Sequence, residues 1–487
     1  MIKQAIRILV LTLMVVPALA LVAFGPGSGS SRQDNVVVVE YWEKWTGAEE
    51  QQMKQIVDQF NDTIGKDKHI FVRFMSTSNI NGKTLVATAG GTPPDIAGIW
   101  DWNLVQYASL DALEPLEDMA RAAGITSATY KPVYWNACNY KGHLWALIST
   151  PAVVALHYNR QAFEQNAAVL RKAGLDPFRP PRTLDELDAY ADALTVVDPK
   201  GHLVHAGYFP MDPGWYVQYT SFWFGADIYD AKTGQFNLTD PRVVKAFEWL
   251  QRYSKKYGKA AVTDFQSGFG NFDSPQNPFL CGQVYMEQQG PWMANYIDHQ
   301  TPAWQRLLWS RDVEMTKSIA ERRKNYGWAA APFPSAVPGM EDVTYAPFDA
   351  LAIPRGARHK KEAFEFIAFV NRQDVMEHLC MMHSKNSPLA AVSENYLTHH
   401  PNPYIEVFER LANSPNARMA PQTPILAEAV DELTVAAQRV TLLECDAQTA
   451  LQQAQVRLQD DEDLFVRHQL AREIASQSPA SPANNSN

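Results

Sequence analysis

The chain has 487 residues, of which 46% are hydrophobic and 20% charged, with a formal net charge of −10. That length exceeds one compact core and suits two large lobes or three small domains, in a composition ordinary for a soluble globular protein. Tracking a phosphate backbone needs clustered Lys and Arg, and the only basic run is the short Glu321-Arg322-Arg323-Lys324 stretch. Nucleic acid is therefore not an expected partner.

Lys3 and Arg7 precede an apolar run from Ile8 to Phe24, broken by Pro17 and carrying Ala18-Leu19-Ala20. A basic segment, an apolar segment and small residues spaced A-x-A are the parts of a secretory signal peptide. The expected location is periplasmic or otherwise extracytoplasmic. Two readings stand for residues 1–24: a signal peptide cleaved after Ala20, or an uncleaved anchor, since the run approaches the ~20 residues that span a bilayer. No cysteine follows the run, so a lipidated N-terminus is not expected. Residues 25–35, rich in Gly and Ser, read as a flexible linker.

Val36 to Val39 then gives a buried strand ending at Tyr41-Trp42-Glu43-Lys44-Trp45. Thr46-Gly47-Ala48-Glu49 has the pattern of a capping box, and Met53, Ile56, Val57 and Phe60 share one face of the helix it opens. A strand from His69 to Met75 completes a parallel βαβ unit. Asp95 to Trp100 reads as a third strand, Leu110 to Ala122 as mostly helical, and Trp145 to Tyr158 as extended. Thr183-Leu184-Asp185-Glu186 is a second capping box, and Asp240-Pro241 opens a helix that Gly258 stops. Ala350 to Pro354 reads as a strand before a helix from Lys360 to Asn371. From Pro424 to about Leu470 the pattern is helical, restarting at Asp446, and residues 475–487 read as a disordered tail. The class is α/β.

Gly91-Thr92-Pro93-Pro94-Asp95-Ile96, Tyr140-Lys141-Gly142-His143-Leu144-Trp145, Leu156-His157-Tyr158-Asn159 and Pro180-Pro181-Arg182-Thr183-Leu184-Asp185-Glu186 follow one another in a familiar order. With Gln289-Gly290-Pro291-Trp292 and Leu351-Ala352-Ile353-Pro354-Arg355-Gly356, they make the chain resemble family 1 extracellular solute-binding proteins of ABC transporters, the maltose-binding-protein-like group, over about residues 36–470. The resemblance implies a two-lobed periplasmic-binding-protein fold (type II, cluster D-like) with hinge strands between the lobes. By the same analogy, lobe 1 holds 36–152 plus 350–397 and lobe 2 holds 153–349 plus 398–474, with crossings near Val153, Tyr345–Ala350 and Tyr396. It implies a monomer that binds a mono- or oligosaccharide and delivers it to the permease subunits of an ABC importer. It also sets up intra-lobe cysteine pairs, Cys138 with Cys380 and Cys281 with Cys445. Their wide spacing fits free buried thiols better, and it excludes the ligand patterns of a zinc or iron–sulfur site.

The chain carries 13 Trp and 19 Tyr. Aromatic planes suit the C–H faces of a sugar ring, and carboxylates, amides and Lys suit its hydroxyl rim. Ligands of α/β sheets sit beyond the carboxyl ends of strands, so the useful aromatics are those just after a strand. That filter selects Glu43, Lys44 and Trp45 at the end of the first strand, and Trp100 with Asp101 at the end of the third. Strand alternation makes one aromatic of each pair, Trp42 or Trp45 and Trp100 or Trp102, a core residue. Trp215 and Trp223 come from a loop rich in Pro, Gly and aromatics. Trp292 follows from the resemblance, as a stacking residue in the Gly-Pro-Trp turn. Ala152, Ala427 and Asp349 depart from maltose-type relatives, and Asp349 reads either as a rim acceptor or as a turn residue. Trp249, Trp304 and Trp309 read as packing.

No cofactor or metal is expected, and no enzyme: the chain has no G-x-S-x-G, H-E-x-x-H or P-loop. His202, His205, His399 and His400 read as turn or surface residues. The alternatives are a secreted carbohydrate-active hydrolase, for which nothing selects a catalytic pair among 53 acids, or the same fold binding a non-sugar solute such as glycerol phosphate, or serving as a sensor.

Overall fold

A computed structural model describes residues 36–270, 274–300, 313 and 315–477. The N-terminal apolar run, the linker, Trp304, Trp309 and residues 478–487 lie outside the described residues. The fold is built on two sheets. Strands β1 (Val37–Glu43), β2 (Ile70–Ser76), β3 (Ile96–Trp100), β4 (Leu147–Pro151) and β8 (Phe348–Ala352) form one, in the order β2-β1-β3-β8-β4. The first three are parallel, and β8 returns antiparallel against both β3 and β4. Strands β5 (Ala155–Asn159), β6 (Met286–Gln289) and β7 (Trp328–Ala331) form the other, an antiparallel trio with β5 in the middle.

Helix α1 (Gly47–Phe60) joins β1 to β2 and buries Met53, Ile56, Val57 and Phe60, the face that the spacing selects. Phe366 of a later helix wedges against Phe60 and Tyr41 at 5.3 and 5.6 Å between ring centroids. Asp95 explains its motif. Its carboxylate accepts the backbone N–H groups of Glu40, Arg358 and His359, tying the start of β3 to the segment after β8.

Helix α2 (Asp101–Ser109) begins directly at the end of β3, nine residues before the helix expected from Leu110. Trp100 is extended (φ −82°, ψ 157°) and Asp101 carries its charge into the first turn, where the N-terminal dipole favours it. Helix α3 (Leu184–Leu194) is capped by Thr183 Oγ1, which accepts the Glu186 N–H at 3.1 Å. Glu186 completes no box; it pairs with Arg179 instead. Helix α4 (Pro241–Tyr257) starts at the Asp240 cap and stops at Gly258, whose φ is 87°. Helices α5 (Leu426–Thr441) and α6 (Ala447–Gln477) break where expected, with Asp446 capping the Thr449 N–H. The second runs three residues into the segment read as tail.

Between the sheets the chain passes from β4 to β5 through Ala152–Val154, which runs beside the segment leading into β8. Ala152 N donates to Pro347 O and Val154 N to Tyr345 O, at 2.8 and 3.0 Å. Thr344–Tyr345 also pairs in parallel with Ala417–Arg418, and Tyr396 lies buried in the helix Glu394–His399. All four cysteines are free thiols: Cys138 and Cys380 are buried, Cys445 is half-buried and Cys281 is exposed.

Where β1 meets β3, Gly98 makes room for Glu43. A Cβ at Gly98 would stand 2.1 Å from Glu43 Oε2, and that carboxylate is fully buried. Gly98→Ala is expected to destabilise the fold by about 1–3 kcal/mol, as overpacking does. Urea denaturation measures it, and an unchanged midpoint would show that Glu43 moves freely.

Candidate functional site

The carboxyl ends of β1 and β3 and the turn after β6 face a common cleft of about 970 Å³. Trp45, Trp100, Trp102, Trp215 and Trp292 line it, together with Tyr216, Tyr219 and Tyr345. The first three come from the first sheet's side; Trp215 and Trp292 come from the side of the second. Trp100 and Trp102 stack at 4.9 Å and 18°, and both line the cleft. The expectation that one of them is core fails: Trp100 is the last residue of β3 and Trp102 the second of α2, and positions two apart on a strand share a face, so alternation does not separate them. Trp42 lies outside the cleft lining.

A charged cluster forms the floor. Asp349 lies within β8, not in a turn, opposite Trp100 and Thr150. Its Oδ1 meets Lys44 Nζ at 3.1 Å; its Oδ2 meets Lys385 Nζ at 3.2 Å and accepts Thr150 Oγ1 at 3.0 Å. Burial alone would raise the Asp349 carboxyl, but the two ammonium groups outweigh it and hold it at about 2. Lys44 also meets Glu43 Oε1 at 3.1 Å. The same ammonium groups link the indoles: Lys44 Nζ lies 4.9 Å from Trp45 and 5.6 Å from Trp100, and Lys385 Nζ lies 5.7 Å from both Trp45 and Trp292.

Asp101 lines the cleft too, donor-bound by Tyr345 OH at 2.7 Å and the Trp102 N–H at 3.0 Å. Burial raises its carboxyl to about 7 in spite of these bonds.

Two of the expected site residues do not reach the cleft. Glu43 still belongs to the strand, so alternation turns it inward with Tyr41, whose hydroxyl donates to it. Trp223 is 1% exposed within a 3₁₀ turn (Val217–Phe224), its Nε1 donating to Val343 O at 3.1 Å. Trp249 is a packing residue as read, bonded to Asp188 at 3.0 Å. His400 is not a surface residue: it is fully buried, and its Nε2 lies 3.1 Å from Lys385 O. Tyr396 OH donates to the same carbonyl, so these two residues anchor the backbone that presents Lys385. Lys385 was not visible in the sequence because it follows a helix rather than a strand, 341 positions after Lys44.

Beneath the loop that carries Trp215, Asp212 and Glu287 are buried, and Asp212 Oδ2 and both Glu287 oxygens have no hydrogen-bond partner among the described residues. Burial pushes the Asp212 carboxyl up to about 8. The folded state therefore keeps a proton that the unfolded chain releases near pH 4. Stability from this group is full below that pH and falls as pH rises towards 8. Against Asp212→Asn, the wild type should lose about 1.4 kcal/mol per pH unit between pH 5 and 7.5. Denaturant unfolding of both proteins across that range measures it, and parallel curves would refute it.

Two facing sheets, a strand crossing between them and an aromatic cleft at the strand ends define a two-lobed ligand-binding protein of α/β class. Residues 55–395 match the family described as bacterial extracellular solute-binding protein, and the chain belongs to that family. It is 25% identical over 261 residues to the sn-glycerol-3-phosphate-binding periplasmic protein UgpB of Pectobacterium atrosepticum, covering 51% of this chain and 54% of that one. It is 24% identical over 221 residues to a maltotriose-binding protein of Pyrococcus abyssi, covering 45% and 42%. The chain thus spans about half the length of these curated relatives. Among solved structures, CpMnBP1 with mannotriose bound superposes with a TM-score of 0.71 at 24% identity, over 87% of this chain and all of that one. The sugar-binding protein MalE from Xanthomonas citri gives 0.67 at 18% identity, over 91% and 100%. These likenesses establish the shared fold.

Proposed function

We propose that the protein captures a neutral mono- or oligosaccharide between its two lobes outside the cytoplasm, and delivers it to the permease subunits of an ABC importer. The observation that carries this is the convergence of five indoles, from both sides of one 970 Å³ cleft, around a pair of lysines. Flat apolar faces with charged hydrogen-bonding groups between them match a pyranose ring and its hydroxyls. The lobes are 36–152 plus 350–397 and 153–349 plus 398–474. In support, all strands of each sheet fall within one lobe, except that β8 begins two residues early at Phe348. Hinge bending at Ala152–Val154 and Thr344–Pro347 closes the cleft on the ligand. The family and the structural neighbours are binding proteins, and the chain is read as a binder without turnover.

The glycerol-phosphate-binding relatives suggest a second reading, and Lys44 with Lys385 gives it a foothold. Both ammonium groups are already committed to carboxylates, however, whereas a phosphate needs cations with unspent charge. Thermal unfolding with mannotriose, maltotriose and glycerol 3-phosphate separates the two. Ligand at a hundred times its Kd adds about 2.7 kcal/mol of stability. A rise with a trisaccharide and none with glycerol 3-phosphate is expected; the reverse would transfer the assignment to the phosphate ester.

A further inference from the structure

Thr46-Gly47-Ala48-Glu49 has the residues of a capping box, which would commit the Glu49 carboxylate to backbone N–H groups. The box does not form. Thr46 makes no side-chain cap bond, and Gly47 enters the helix with φ of 67°. Glu49 lines the cleft with its side chain 38% exposed. It has no hydrogen-bond partner among the described residues, and the nearest cationic candidate, His383 Nδ1, stands 4.0 Å away. Burial, reinforced by Lys385, keeps that imidazole neutral.

The other acids on this side of the cleft are committed. Both Asp349 oxygens are taken by Lys44, Lys385 and Thr150. Each Asp101 oxygen already accepts one bond, from Tyr345 OH and from the Trp102 N–H. Glu43 is fully buried against Tyr41 and Lys44. Each lysine, by contrast, has spent two of its three N–H donors on these partners. The first sheet's side of the cleft therefore offers spare donors beside Trp45 and, in Glu49, a carboxylate without a hydrogen bond among the described residues, while Gln218 and Asp431 line the other side.

We infer that Glu49 is the acceptor that reads a hydroxyl of the bound carbohydrate from the first lobe, a specificity-determining role that rests on the carbohydrate reading above. A hydroxyl donates to it; a phosphate or carboxylate in that place would be repelled. Of the two roles read for Asp349, rim acceptor or turn residue, the first falls to Glu49, because Asp349 pairs with both lysines.

Calorimetric titration with mannose, mannotriose and maltotriose tests this on the full chain and on Glu49→Gln, Glu49→Ala and Glu50→Gln. Glu50 sits in the same first turn but outside the cleft lining, so it controls for helix-terminal charge. For the sugar that the wild type binds, the expected result is a loss of about tenfold to a hundredfold in both Glu49 variants, the range for a hydrogen bond to a charged group. Glu50→Gln should bind as the wild type does, and the melting temperatures of all four proteins should agree. Wild-type affinity in the Glu49 variants, or an equal loss in Glu50→Gln, overturns the inference and leaves the carbohydrate reading standing. A wild type that binds none of the three sugars overturns both.

Discussion

Asp349→Ala is expected to destabilise the protein by about 3–5 kcal/mol, the range for breaking a buried ion pair from one side. The substitution leaves Lys385, 5% exposed, with Thr150 Oγ1 as its remaining polar contact, and Lys44 with Glu43 alone. An ammonium group taken out of water without a counter-charge is costly whichever protonation state it adopts. The pH dependence identifies the cause. The Asp349 carboxyl sits at about 2 in the fold, below its ordinary value, so its contribution is fully present above about pH 4 and lost as pH falls through 2. The penalty of the variant should shrink over the same interval. Adding Lys385→Met should recover part of the loss, because replacing both partners with apolar groups removes the stranded charge. Chemical denaturation of the three proteins measures this. A single variant within 1 kcal/mol or so of wild type would mean that the cluster is solvated rather than buried.

Trp292→Ala is expected to weaken carbohydrate binding by about 2 kcal/mol or more, about thirtyfold, with little change in stability. The indole is only partly buried, and it follows β6 through Gly290-Pro291. A Cβ on Gly290 would lie 2.2 Å from the six-membered ring of the indole, so the ring lies against bare backbone that only glycine provides. Asn402 Nδ2 holds the turn by donating to Pro291 O at 3.0 Å. A ring fixed in advance loses little freedom when a sugar stacks on it, which is why its removal should register in affinity. Titration with mannotriose or maltotriose decides the matter, and an unchanged Kd would remove Trp292 from the site.

Most of the fold was legible because it rests on local signals: the apolar strand at Val37, the spacing of Met53 to Phe60, the Asp240-Pro241 start and the restart at Asp446. Much of the cleft was legible for one reason, that a binding residue in an α/β sheet follows a strand. Lys44, Trp45, Trp100 and Asp101 obey that rule. Glu43 was misplaced by a single position, because it is the last residue to alternate before the strand ends. Trp223 was misplaced because a Pro- and Gly-rich loop promised exposure, while a 3₁₀ turn rotates the ring inward. Lys385 and Tyr345 were out of reach, since their positions depend on how distant segments pack against β8 and α2. Glu49 was hidden behind a motif that matches in sequence and is not made in the fold.

The stacked rings of Trp100 and Trp102 have an optical consequence. Two indoles 4.9 Å apart and nearly parallel have coupled electronic transitions, which split into a paired signal in circular dichroism. Trp100 is half-buried, while Trp102, also in the cleft lining, is 36% exposed. Any occupant that shifts either ring alters the coupling, so the protein carries its own spectroscopic reporter of occupancy, with no label attached.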